Sequence, residues 1–262
     1  MSAPPDYQPP QDPISDRLPA EGRNRGIPRS VLRIADVWIG ALIAIGIVIV
    51  GSVIVAIADP TLADANPNND SEGGLLATQA FLSVGLIGTA LIYTARSNHG
   101  DIADAARRLG LRSFGVWIVL PTLAAIGIYL VSAGILASIL SPEQEDVAEN
   151  LGAGSDSAIL ITVLAGILIV PGAAVSEELF FRGFIFGGLR QSMSLWPAAI
   201  ISGVVFGGLH LVTGNVAVAL QLSLFGVILA GLYERTGVLW APMFVHGLNN
   251  AVAFTLLVTD TI

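Results

Sequence analysis

Apolar residues in this chain fall into long uninterrupted blocks. They do not show the two-residue alternation of half-buried strands or the single stripe of a soluble helix. The blocks run at 37–58, 75–95, 114–140, 158–189, 196–212, 216–233 and 238–258. Several exceed the ~18 residues that mark a candidate membrane span. The pattern predicts an all-α, polytopic transmembrane helical bundle of about seven spans. Residues 1–29, which include PPDYQPPQDP, lack apolar periodicity and are expected to form a disordered tail. The first block ends in Ala56-Ile57-Ala58, which imitates a signal cleavage site. At 22 residues it is longer than the roughly 7–15 of a signal core, so it is expected to be the first span.

The fourth block is 32 residues long. At ~1.5 Å per residue it overshoots a hydrocarbon layer ~30 Å thick, so it must tilt, break or project from the bilayer. Pro171 and Gly172 are candidate break points. The chain divides into the tail at 1–29, N-terminal helices at 30–157 and a helical core at 158–262.

Charge then orients the spans. Only 12% of residues are charged, against about 25% in ordinary soluble domains, and 53% are hydrophobic. Cysteine is absent, which removes disulfides and thiolate metal sites. All twelve basic residues are arginine. Arg17, Arg23, Arg25, Arg29 and Arg33 precede the first block; Arg96, Arg107, Arg108 and Arg112 lie between the second and third. Arg182 and Arg190 close the fourth, and Arg235 separates the sixth from the seventh. The loops at 59–74 and 141–156 carry acids and no arginine. By the positive-inside rule the N-terminus is expected in the cytoplasm and the C-terminus outside a cell membrane. The segment 101–112 reads either as a short amphipathic helix on the inner surface or as an ordinary basic loop.

Within the apolar blocks a few polar residues stand out. Glu177, Glu178 and Arg182 share the fourth block, although a charge at mid-bilayer costs about 2.5–3.5 kcal/mol on insertion scales. His210 and His246 lie in the fifth and seventh, while His99 falls in a hydrophilic loop. Glu178 and Arg182 are four apart, as are Phe206 and His210, and His246 and Asn250. Each pair therefore shares a helix face. Glu177 is turned ~100° from Glu178, so one can face a cavity while Arg182 holds the other. His246, Asn250 and His210 sit about 12, 18 and 21 Å from the inner ends of their spans, which brackets mid-membrane. Glu177 reaches that level if the membrane part of the fourth block is about 166–189. A common centre would hide these groups from lipid and satisfy their hydrogen bonds. Gly203/Gly207 and Gly183/Gly187 are GxxxG pairs that favour close helix contact.

A carboxylate near two imidazoles and an amide is a parts list for peptide hydrolysis. Glu177 can act as general base on a water. His210 can orient that water or bind a metal, and His246 with Asn250 can donate to a developing oxyanion. Two histidines and a carboxylate also suit Zn²⁺, with His210 and His246 as candidate ligands, although the HExxH signature is absent.

At these residues the chain resembles the CPBP family, which groups type II CAAX prenyl endopeptidases with bacteriocin-processing, Abi-like intramembrane proteases. Glu177-Glu178-Leu-Phe-Phe-Arg182 reads as EExxxR, Phe206-Gly-Gly-Leu-His210 as FxxxH, and His246-Gly-Leu-Asn-Asn250 as HxxxN. The resemblance covers about residues 160–255. It implies an intramembrane endopeptidase in which Glu177 is the base and Glu178 and Arg182 brace it. His210 would then hold the water, with His246 and Asn250 stabilising the oxyanion. It implies either a divalent metal such as Zn or a metal-free glutamate mechanism. The expected partners are membrane-embedded or lipidated peptides and the bilayer itself, with no nucleic acid. The competing readings are a non-enzymatic scaffold or immunity protein of the same fold, and a proton-coupled transporter. The transporter would favour internal repeats, and Glu177-Glu178 has no counterpart elsewhere in the chain.

Overall fold

The computed structural model describes residues 27–28, 32–58, 72–140, 158–213 and 215–259, and all regular structure among them is helical. The expected tail, apart from 27–28, and most of the two acidic loops lie outside the described residues, as do Arg17, Arg23, Arg25 and Arg29. We number the helices α1 (Ile34–Ala58), α2 (Glu72–Ser97), α3 (Ile102–Arg108), α4 (Val119–Leu140), α5 (158–189), α6 (Leu195–Leu209), α7 (Val216–Thr236) and α8 (Trp240–Thr259).

Among the described residues, five segments are long and apolar enough to cross a membrane: Ile34–Ala58, Leu76–Ser97, Val116–Leu140, Ile159–Leu189 and Val216–Thr236. Helix α6 is apolar but shorter, and α8 carries His246, Asn249 and Asn250. The distribution of side chains is that of a protein whose solvent is lipid. Outward positions hold Val116, Leu120, Ile159 and Ile57, each more than 70% exposed. The interior instead holds Glu178, Arg182, Ser176 and Ser202, each 1% exposed or less. Water would penalise the first set, and hydrocarbon would penalise the second.

Helix α5 is the central element, buried without interruption from Ser176 to Leu189. Phe180, Phe181, Phe184 and Phe186 pack it against its neighbours, with Phe180 stacked on Phe184 at 5.7 Å. The helix does not break at Pro171 and Gly172. It passes through them as a π-helical turn, Leu168–Gly172, in which the Ala173 amide reaches back to the Leu168 carbonyl. Proline has no N–H to give to the preceding turn, and the wider turn absorbs that loss. A second π segment, Leu179–Phe186, comes after the two glutamates. Residues 158–189 therefore form one rod about 45 Å long, which must tilt or project from the hydrocarbon layer.

Helices α1 and α2 pair along one side of α5, α6 and α7 form a close hairpin on the other, and α4 leans on α7. The hairpin depends on glycine. A Cβ on Gly203 would meet the Ser223 carbonyl at 2.7 Å, and one on Gly207 would overlap the Ala219 carbonyl. These are backbone atoms that have no room to move. Of the two GxxxG pairs, this one packs helix on helix. Gly183 instead faces the Leu109 carbonyl, and Gly187 faces its own helix at the Arg182 carbonyl. Gly207→Ala is expected to lose about 1–3 kcal/mol by overpacking, read as a lower thermal midpoint in detergent, because no rotamer change relieves a backbone clash.

The segment 101–112 is a short helix, with Asp101 capping α3 through the Asp104 amide at 2.7 Å. Residues 109–112, just beyond α3, are stitched to the α7–α8 turn. Tyr233 Oη donates to the Leu109 carbonyl (3.0 Å), the Leu239 amide donates to the Gly110 carbonyl (3.0 Å), and Arg112 Nε donates to the Gly237 carbonyl (2.9 Å). Gly110 takes φ +97° directly against the Tyr233 ring, a conformation and a space that exclude a side chain. At the same end, Arg190 grips Glu234 with two hydrogen bonds of 2.7 and 3.0 Å. Those bonds to the carboxylate hold the Arg190 guanidinium above its ordinary range.

Candidate active site

The residues singled out in the sequence come together between α5, α6 and α8. Glu178 is the hub. Its Oε1 accepts from Arg182 Nη1 at 2.7 Å, one turn along α5, and from His246 Nδ1 at 2.7 Å across the interface. The Glu178 and Arg182 side chains are both 0% exposed. Ion pairs this deep carry a large desolvation cost, which a second partner on the carboxylate helps to offset.

That second bond also fixes a tautomer. A carboxylate can only accept, so His246 Nδ1 carries the proton and donates it to Glu178. Nε2 then points the other way, 3.7 Å from Glu177 Oε2. The same logic applies to His210, whose Nδ1 lies 3.0 Å from the Phe206 carbonyl and donates to it. Glu177 lies within electrostatic reach of His246, His210, Glu178 and Arg182.

Aromatic rings hold this set in place. The Phe206 ring takes the Arg182 guanidinium on its face at 4.5 Å. It meets His210 edge-on at 5.1 Å and His246 at 5.7 Å. Phe225 of α7 closes the other side of His246 at 5.6 Å. A guanidinium over an aromatic face recovers part of the solvation it has lost.

Helices α5 and α8 run antiparallel here. Gly166 lies beside the Phe254 ring, Ala174 beside Gly247, and the glutamates beside His246. Asn250 sits one turn from His246, and its Nδ2 donates to the Ile169 carbonyl within the first π turn at 3.0 Å. One of its two amide hydrogens is thereby used and one remains to donate.

Sequence reasoning missed four contributors. Phe225 braces His246, while Tyr129, Gln221 and Asn249 are joined by hydrogen bonds that end on Asn250. The available signal was a lone tyrosine in block three and a lone glutamine in block six, each a polar group that lipid would penalise.

The donor types suit a zinc ion, but the arrangement does not. Among the described residues no three His, Cys, Asp or Glu side chains are gathered as a metal ion requires. As they stand, His210, His246 and Glu177 do not form such a set.

Comparison with known proteins bears on the same region. Residues 159–252 match the family described as type II CAAX prenyl endopeptidase Rce1-like. The chain is 33% identical over 138 residues to "Putative membrane peptidase YdiL" of Bacillus subtilis (strain 168), covering 50% of this chain and 53% of that one. It is 28% identical over 139 residues to "Uncharacterized 24.3 kDa protein" of Escherichia coli, covering 52% of this chain and 61% of that one. The chain thus spans between about half and three fifths of the length of these relatives. No solved structure matches it. The family match thus falls on residues 159–252, the stretch of this multi-pass membrane protein that holds all three motifs.

Proposed function

We propose that the protein is an intramembrane endopeptidase acting on membrane-embedded or lipidated peptides, with Glu177 as the base that activates water. The observation that carries this reading is the division of labour between the two adjacent glutamates. Glu178 is committed to Arg182 and His246 at 2.7 Å each, whereas Glu177 faces His246 Nε2 at the longer distance of 3.7 Å. On this reading Glu178 is the structural carboxylate and Glu177 the chemical one.

In this mechanism a water sits between Glu177 and His210. Glu177 takes one of its protons as the oxygen attacks the scissile carbonyl carbon. The carbonyl oxygen, now anionic, accepts from the remaining Asn250 amide hydrogen and from His246 Nε2–H when that ring is doubly protonated. The C–N bond then breaks and Glu177 passes its proton to the leaving amine. The water's OH ends on the new carboxyl, so atoms and charge balance. A site of this kind in the membrane, with the arginine-rich ends in the cytoplasm, would receive substrates from within the bilayer.

The test compares new protein C-termini in membranes of cells carrying the wild-type chain with those carrying Glu177→Ala. Termini present only with wild type support the reading, and identical sets in both variants overturn it in favour of a scaffold that captures membrane partners. Addition of a divalent-metal chelator to the purified protein is expected to leave cleavage unchanged, because water activation rests on Glu177. Loss of cleavage that zinc restores would show that the side chains regroup around an ion.

A further inference from the structure

We propose that Tyr129 of α4 is a positioning residue that orients Asn250 through a one-way chain of hydrogen bonds; this rests on the reading of Asn250 as an oxyanion donor. Gln221 Nε2 of α7 donates to Tyr129 Oη at 3.3 Å. Tyr129 Oη donates to Asn249 Oδ1 at 2.9 Å. Asn249 Nδ2 donates to Asn250 Oδ1 at 3.4 Å, and Asn250 Nδ2 donates to the Ile169 carbonyl at 3.0 Å. Four helices contribute, namely α7, α4, α8 and α5.

The chain has a direction because the Ile169 carbonyl at its end can only accept. Asn250 therefore donates to it through Nδ2 and accepts through Oδ1, Asn249 donates to Asn250 and accepts from Tyr129, and the Gln221 amide turns its Nε2 to the Tyr129 hydroxyl. An isolated asparagine can turn its amide over at little cost, presenting oxygen where nitrogen had been. In this chain a turned Asn250 would set two oxygens together at Ile169 and two N–H groups together at Asn249. The chain thus keeps the Asn250 NH₂ on the α5 side and its oxygen towards Asn249. An oxygen on the α5 side would repel an oxyanion that the amide hydrogen stabilises.

The element that supplies the hydroxyl has little other reason to offer one. Within α4, Ser132 and Ser138 bond to carbonyls three residues earlier and Thr122 to one four residues earlier, all within their own helix or its lead-in. Tyr129 is buried, at 8% exposure, and reaches across to α7 and α8. Its ring also packs on Phe225 at 4.3 Å, and Phe225 packs on His246 at 5.6 Å. One side chain from the N-terminal helices thus touches both arms of the HxxxN motif through single intermediaries. This α4 link lies outside the region that matches the family, which begins at residue 159.

The test is a double-mutant cycle on the full chain in liposomes, with a cleaved membrane peptide as readout. Tyr129→Phe keeps the ring on Phe225 and removes only the hydroxyl. It is expected to lower kcat roughly ten-fold, the kinetic equivalent of one hydrogen bond, with KM unchanged and the protein still folded. Asn250→Ala is expected to lose about 10²–10³-fold, as for an oxyanion donor. On that background Tyr129→Phe should cost nothing further, and Ser138→Ala, whose bond is local, should cost nothing in either. Losses that multiply, a change confined to KM, or an unaffected Tyr129→Phe enzyme would each overturn the chain while leaving the protease reading intact. An inactive wild type would instead overturn the protease reading, and the catalytic role of Tyr129 with it.

Discussion

Glu177→Gln is expected to abolish measurable peptide hydrolysis, with a loss of at least about 10²–10⁴-fold, while leaving the protein folded. The magnitude is that of a positioned general base. The folding expectation comes from geometry. Glutamine matches glutamate in shape, and Glu177 Oε2 lies 3.7 Å from His246 Nε2, longer than a hydrogen bond. Glu178→Gln, by contrast, changes the acceptor shared by Arg182 and His246, and is expected to reduce activity and stability together. Two adjacent glutamates with different failure modes would separate a catalytic carboxylate from a structural one. If Glu177→Gln unfolds the protein, or if it retains wild-type activity, that division fails. Turnover in liposomes and thermal unfolding in detergent read the two properties separately.

Arg182→Met is expected to be the most destabilising single substitution in the core. It leaves the Glu178 carboxylate buried and without its cation, and breaking a buried pair from one side costs about 3–5 kcal/mol. It also strips the Phe206 face of its guanidinium. The informative experiment is the double variant Arg182→Met with Glu178→Gln, in which no charge is left stranded. Its thermal midpoint should recover most of the loss while activity stays low, because His246 has lost the carboxylate that fixed its tautomer. A double variant no more stable than Arg182→Met would show that Arg182 acts through packing and not through charge.

The residues of the site are conspicuous in the sequence for a physical reason. Lipid cannot hydrate an ionisable side chain, so Glu177, Glu178, Arg182, His210 and His246 stand out inside apolar blocks as they never would in a soluble protein. Spacing by four paired Glu178 with Arg182, and that pair occurs; it put Phe206 and His210 on one face, where their rings meet, while the bond from His210 to the Phe206 carbonyl was not foreseen. The overlong fourth block was equally legible, but its resolution was not. Pro171 marks a missing donor, and whether a helix breaks there or widens into a π turn depends on partners such as Asn250, which lie far away in sequence. The chain through Tyr129 was illegible for the same reason. A tyrosine in a span is unremarkable until its hydroxyl is seen between Gln221 and Asn249, residues 92 and 120 positions away. His246 illustrates both sides. Its presence in the seventh block was plain, yet its bond to Glu178, and not to Asn250 on its own face, emerges only from the antiparallel packing of α5 and α8.

Whether Glu177 directs water onto a peptide bond within the membrane is decided by one experiment. A membrane-embedded peptide is offered to the purified full chain in liposomes made up in H₂¹⁸O, and both fragments are read by mass spectrometry. A new C-terminal carboxyl carrying ¹⁸O is expected from wild type, with no cleavage from Glu177→Gln prepared and reconstituted in parallel. Equal ¹⁸O-labelled product from both proteins would contradict the assignment of Glu177 as the base.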